Sequence, residues 1–178
     1  MNVPNRLTIA RILLLPILIV LFYLNPAVGT LNEWTYGFVA IFMIASLTDF
    51  FDGFIARRTN TVTTFGKFLD PLADKMLVLL GLLILQDLAL IPMWTVFLII
   101  AREFLVTGVR LVAVNVGKVI SASNLGKAKT AVTLVAMTAL FLTFETSGLI
   151  LYYVALVLTV VSGIEYMYVN REVITMQK

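Results

Sequence analysis

Asp49, Asp52, Asp70 and Asp74 stand in one pattern: Asp49-x-x-Asp52-Gly53-x-x-Ala56-Arg57, eight residues, then Gly66-x-x-x-Asp70-x-x-x-Asp74. Residues three or four apart on a helix share a face, so Asp49, Asp52 and Ala56 line one stripe and Gly66, Asp70 and Asp74 another. A short connection between two such helices lets their carboxylates converge on one small volume, with glycine and alanine keeping bulk out of it. Four carboxylates alone repel, and some would stay protonated. Two divalent cations about 3.5–4 Å apart relieve that repulsion and create a site for phosphoryl-type chemistry. One carboxylate left partly free can take the proton of an attacking hydroxyl. Arg57, beside the cluster, offers a fixed positive charge suited to a phosphate. A lone Asp-x-x-Asp at a helix end is as often a cap as a site. Eight specified positions match by chance at about one start point in 10^10, at background usage near five per cent each.

The chain holds no histidine and no cysteine. Imidazole ligands, histidine bases, thiol chemistry and disulfides are therefore excluded. A metal must be held by oxygen, which favours magnesium, manganese or calcium over zinc.

The elements that position these carboxylates are membrane helices. Of 178 residues, 61% are hydrophobic and 13% charged, and the mean hydropathy is +1.02. Apolar stretches of the length that crosses hydrocarbon, about 20 residues, recur along the whole chain. The sequence reads as one integral membrane domain over residues 1–178, all-α, with six transmembrane helices. The spans run from about Leu7 to Leu24, Trp34 to Ala56, Phe68 to Leu85, Pro92 to Val114, Lys127 to Phe144 and Leu149 to Tyr168. Turns are expected at Gln86 to Ile91 and at Thr146-Ser147-Gly148. The first span, preceded by Arg6, reads as retained and not as a signal peptide.

Charge sorts cleanly across this layout. The loops near 57–67 and 115–127 and the termini carry Arg57, Arg58, Lys67, Lys118, Lys127, Arg6, Arg171 and Lys178, whereas the alternate loops carry only Glu33, Asp87 and Glu145. By the positive-inside rule both termini and the aspartate cluster lie on the cytoplasmic side. Arg58, Lys118 and Lys178 are most simply anchors beside anionic headgroups. Phe22, Tyr23, Trp34, Tyr36, Trp94, Tyr152, Tyr153, Tyr166 and Tyr168 read as interfacial belts. An ionisable group deep in a bilayer costs roughly 2.5–3.5 kcal/mol, so Arg102 should face inward and be paired. Glu103 is an obvious partner for a neighbouring group, less so for Arg102.

The string from Asp49 to Asp74 resembles the signature of the CDP-alcohol phosphotransferases, and all eight signature positions are met. The resemblance covers essentially the whole chain and implies attack by an alcohol on the β-phosphorus of a CDP-linked substrate, with CMP leaving. It also implies that Asp49, Asp52 and Asp70 ligate a di-metal centre of Mg²⁺ or Mn²⁺, with Asp74 as catalytic base and further ligand. Asp52, Gly53, Arg57 and Gly66 would help hold the CDP moiety. The runs Asn2 to Arg11, Ala101-Arg102-Glu103 and Ala122 to Thr130 resemble the branch of this family that acts on CDP-diacylglycerol and glycerol 3-phosphate. That branch places Asn5, Thr8 and Arg11 at the nucleotide. Arg102, Arg110, Ser123, Lys127, Lys129 and Thr130 would form an anion pocket for the acceptor's phosphate, although Lys127 and Lys129 also suit plain anchoring. The family further implies membrane lipids as surroundings, a homodimer, and no nucleic-acid partner. The same chemistry with phosphatidylglycerol, inositol phosphate or serine stays open, as does a divalent-cation transporter. A purely structural membrane protein would leave the four carboxylates uncompensated.

Overall fold

The computed structural model describes residues 3–25, 30–59, 64–115, 120 and 123–171, with side chains for 9–25, 30–46, 75–114, 120 and 123–171. The described residues form six helices and no strand: α1 (Val3–Leu24), α2 (Glu33–Thr59), α3 (Thr64–Asp87), α4 (Met93–Asn115), α5 (Asn124–Phe141) and α6 (Glu145–Val169). Two helices begin where a polar side chain satisfies a free amide. Asn32 Oδ1 accepts from the amide of Thr35 at 2.9 Å ahead of α2. Ser123 Oγ accepts from that of Gly126 at 3.1 Å ahead of α5. Both are N-caps, which satisfy one of the orphan donors of a first turn.

Two helices end in the same device. After α3, Ala89 takes a left-handed φ of 56°, and the amides of Ala89 and Leu90 donate to Gln86 O and Leu85 O. After α5, Thr143 takes φ of 61°, and the amides of Thr143 and Phe144 donate to Leu140 O and Ala139 O. This is the Schellman arrangement, usually built on glycine. The turn after α5 therefore falls at Leu142–Phe144, and the expected turn at Thr146-Ser147-Gly148 is corrected: those residues lie inside α6. Gly148 serves packing instead. A Cβ there would stand 2.8 Å from Leu140 Cδ2, so glycine lets α6 close on α5.

Packing follows the apolar stripes. The main core joins Leu15 and Leu18 of α1, Phe38 and Phe42 of α2, Leu82 and Leu85 of α3, and Met137 and Leu140 of α5. The Phe141 ring meets those of Phe38 and Phe42 edge-on at 5.0 and 5.5 Å, holding α5 to α2. The α5–α6 pair makes the most extensive contact; α1 lies against both α2 and α3, and α4 against α6. A second, smaller core of Val106, Val109 and Tyr166 closes the α4–α6 seam.

The outer surface is apolar. Phe97, Phe104 and Leu111 on α4 and Val157 and Ile164 on α6 are each more than half exposed, a surface suited to lipid and not to water. Among the described residues, α6 is long and apolar enough to cross a membrane, with mean hydropathy of 2.1 over its best stretch. In α4 the apolar run is interrupted by Arg102, Glu103 and Arg110. Of the residues read as belts, Tyr23, Trp34, Tyr36, Trp94 and Tyr168 are exposed. The belt reading is corrected for Phe22, Tyr152 and Tyr166, which are buried. Tyr152 donates to Thr95 Oγ1 at 2.7 Å, and Tyr166 belongs to the functional region below.

Candidate active site

Unbroken helix carries both halves of the aspartate pattern. Asp49 and Asp52 fall within α2, and Asp70 and Asp74 within α3. The two helices are in contact with each other, and 60–63 is all that separates them. The side chains of Asn5, Thr8, Asp49, Asp52, Gly53, Arg57, Gly66, Asp70 and Asp74 lie outside the described residues. What is described begins next to them. Ser46, one turn before Asp49, and Lys75, directly after Asp74, both line a cavity of about 880 Å³.

That cavity has two kinds of lining. Lys75, Arg102, Arg110, Lys127 and Lys129 line it with positive charge, while Met43, Leu134, Val135, Ala139, Leu142 and Phe144 give it apolar wall. No acid is among the described residues that line it. A smaller cavity of about 160 Å³ shares Ser46, Lys75, Lys129 and Thr130 with it and is also lined by Arg11. Arg11 is almost wholly buried, so α1 brings its cation to the same region.

The cations are held by partners from other helices. Glu103 Oε1 accepts from Arg102 Nη1 at 3.0 Å and also from Lys129 Nζ, so one carboxylate oxygen joins α4 to α5. Arg102 Nη2 donates to Ser162 Oγ of α6 at 3.0 Å. Its Nε is buried, with no hydrogen-bond partner among the described residues. The aliphatic part of Arg102 crosses Gly163, where a Cβ would approach its Cγ to 2.9 Å. Arg110 Nε donates to Tyr166 Oη at 3.2 Å, and its guanidinium carbon lies 5.6 Å from that ring's centroid. Lys75 Nζ donates to Thr107 Oγ1, which itself donates to Glu103 O at 2.7 Å. The side chains of Arg102, Lys129 and Glu103 are only 12%, 10% and 24% exposed. Breaking a pair this buried costs about 3–5 kcal/mol because a charge is left uncompensated.

The structure thus gathers Arg102, Arg110, Ser123, Lys127, Lys129 and Thr130 around one cavity. They are not equivalent. Lys127 and Thr130 are exposed. Ser123 already caps α5, and Thr130 Oγ1 donates back to Gly126 O at 3.1 Å. Arg102 does pair with its neighbour Glu103, a correction to the weaker partnership expected from adjacency. Four members escaped the reading of the sequence: Lys75, Thr107, Ser162 and Tyr166. Lys75 carried a signal, a lysine directly behind the last aspartate. Ser162-Gly163 carried a fainter one, a small polar pair in an otherwise apolar helix.

A helical bundle whose α2 and α3 carry the acidic signature, with Ser46 and Lys75 of those helices lining a basic and apolar cavity, defines a class. The profile of that class, CDP-alcohol phosphatidyltransferase, matches residues 1–161, and the chain belongs to this family. A CDP-diacylglycerol–glycerol-3-phosphate 3-phosphatidyltransferase of Bacillus subtilis (strain 168) is 44% identical, the match covering 96% of each chain. Proteins of the same name from Rickettsia typhi and Salmonella typhimurium are 40% and 38% identical. Those matches cover 93% and 96% of this chain and 94% and 95% of theirs.

Proposed function

We propose that the chain transfers the phosphatidyl group of CDP-diacylglycerol to the primary hydroxyl of sn-glycerol 3-phosphate, releasing CMP. The observation that carries this reading is the cavity lined by both cations and apolar side chains beside the aspartate-bearing helices. Its cations suit an acceptor that carries a phosphate, and its apolar wall suits a donor that carries acyl chains. An uncharged alcohol would make no use of the cations gathered there.

The donor set fits a hard divalent metal. With no histidine or cysteine in the chain, ligands must be oxygens, and α2 and α3 carry four carboxylates on contacting helices. Asp49, Asp52, Asp70 and Asp74 would hold two Mg²⁺ or Mn²⁺ ions. When bound, these ions supply charge neutralisation at the pyrophosphate and at the departing CMP.

The remaining work falls to the chain's own groups. Asn5, Thr8, Arg11, Asp52, Gly53, Arg57 and Gly66 bind and orient the CDP moiety. Arg102, Arg110 and Lys129 fix the acceptor's phosphate, with Lys127, Ser123 and Thr130 at the rim, so that its hydroxyl lies in line with the leaving group. Asp74 accepts the hydroxyl proton as the new P–O bond forms. Helical walls exclude bulk water, favouring transfer over hydrolysis. The whole of 1–178 acts as one membrane domain. Its six helices span the cytoplasmic membrane, both termini and the site face the cytoplasm, and the enzyme works as a homodimer.

The test is CMP release by purified protein given CDP-diacylglycerol, Mg²⁺ or Mn²⁺, and a panel of acceptors. Release is expected with glycerol 3-phosphate and absent with serine, inositol phosphate and phosphatidylglycerol. Release with one of those three and none with glycerol 3-phosphate would overturn the choice of acceptor.

A further inference from the structure

One acid stands inside a ring of cations that is otherwise suited to an anion. Glu103 is not among the residues lining the cavity, yet it touches two that do, and it does so through a single oxygen. Arg102 is on the α4 side of that oxygen and Lys129 on the α5 side. The remaining contacts of Arg102 complete a frame: Ser162 Oγ takes Nη2, and Gly163 leaves room for the stem. The backbone of Glu103 is tied in as well, its carbonyl accepting from Thr107 Oγ1, which in turn receives Lys75. Glu103 is thus the node through which cations of α3, α4 and α5 share one arrangement.

We infer that Glu103 is a positioning residue for the acceptor's phosphate, holding Arg102 and Lys129 side by side so that both can donate to one oxyanion. The inference rests on the reading that this cluster receives the acceptor. It runs against simple charge counting. Two cations and one carboxylate carry a net charge of +1, and neutralising the carboxylate raises this to +2, which by Coulomb attraction alone should tighten an anion. Positioning predicts the opposite. Without the shared oxygen, two long flexible side chains at close range repel and must be ordered again by each incoming phosphate, which lowers affinity.

The experiment compares wild type with Glu103→Gln and Glu103→Asp in detergent–lipid micelles. Readouts are kcat, the KM of each substrate, inhibition by inorganic phosphate competing with glycerol 3-phosphate, and melting temperature. Positioning predicts that Glu103→Gln raises the glycerol 3-phosphate KM roughly tenfold or more, the worth of a single charge-assisted hydrogen bond. Phosphate inhibition should weaken by the same factor, while kcat and the CDP-diacylglycerol KM stay within about threefold. Glu103→Asp keeps the charge and retracts the carboxylate by one methylene, so its KM should fall between the two. It also carries the test if Glu103→Gln does not fold.

An unchanged or lowered glycerol 3-phosphate KM in both variants would overturn the inference. So would a parallel loss in both KM values and kcat that tracks the melting temperature. Calorimetric titration with inorganic phosphate separates this inference from the choice of acceptor. Phosphate binding that weakens in Glu103→Gln upholds positioning even if glycerol 3-phosphate proves not to be the acceptor. No phosphate binding by the wild type sinks both.

Discussion

Two polar clusters lie in this bundle, and they are built in opposite ways. One surrounds Asn32, at the start of α2. There Asn25, Thr30, Asn32 and Thr35 bond to partners two to ten residues away, including Asn32 Nδ2 to Asn25 Oδ1 at 3.0 Å and Thr35 Oγ1 to Thr30 O at 2.7 Å. The other surrounds Glu103. Beside the local bonds of Arg102 and Thr107 to Glu103, its contacts join residues 26 to 60 positions apart: Lys129 to Glu103, Lys75 to Thr107, Arg110 to Tyr166 and Arg102 to Ser162. The first cluster is neutral and closes a helix end, as capping groups do. The second is charged, crosses four helices and, among the described residues, holds more cations than acids. A local network ends an element; a long-range network with surplus charge prepares a place for something else.

That contrast makes graded predictions. The largest effect belongs to the proposed base next to the charged cluster: Asp74→Asn should lower kcat about 10²–10⁴-fold, the usual worth of general-base catalysis, measured as CMP release at saturating substrates. Next comes Arg102→Ala, which strips both the phosphate contact and the partner of Glu103. It should raise the glycerol 3-phosphate KM by about a hundredfold and lower stability by a few kcal/mol. Gly163→Ala adds only a methyl group, but against Arg102 Cγ. A shift of that side chain costing about 1–3 kcal/mol should show as a rise in the same KM with the CDP-diacylglycerol KM unmoved. Tyr166→Phe keeps the ring under Arg110 and removes the hydroxyl acceptor, so the KM should change by only about three- to tenfold. The smallest functional effect lies in the other cluster. Asn32→Ala should cost about 1 kcal/mol of stability in denaturation and leave both KM values alone. A shift in KM there would break the distinction between the two networks.

The same contrast explains what could be read from the chain beforehand. Local patterns were legible. The aspartate spacing and the all-helical character follow from residues within a turn or two of one another. The turn at Gln86 to Ile91 was legible and holds Ala89, but the one after α5 was harder because Thr143 occupies a left-handed position that glycine usually fills, so nothing in its side chain marks it. Gly148, the residue that did look like a turn, proved to be a close contact with Leu140. The long-range partners were not legible at all. Ser162, Tyr166 and Thr107 become site residues only once α4, α5 and α6 pack, and no periodicity of one helix encodes which polar group it will meet on another. The pairing of Arg102 with its immediate neighbour was missed for a related reason. Adjacent side chains on a helix diverge, and it takes Lys129 and Ser162 to draw these two together.

The central claim is that the acidic signature and the basic cavity serve one transfer between a lipid-linked nucleotide and a phosphorylated alcohol. Its most direct test follows isotope from labelled glycerol 3-phosphate into solvent-extractable lipid while CMP is counted in the aqueous phase. The account predicts one labelled lipid per CMP in the presence of a divalent cation, and neither product once the cation is chelated. CMP formed without labelled lipid, or labelling that persists undiminished under chelation, would contradict it.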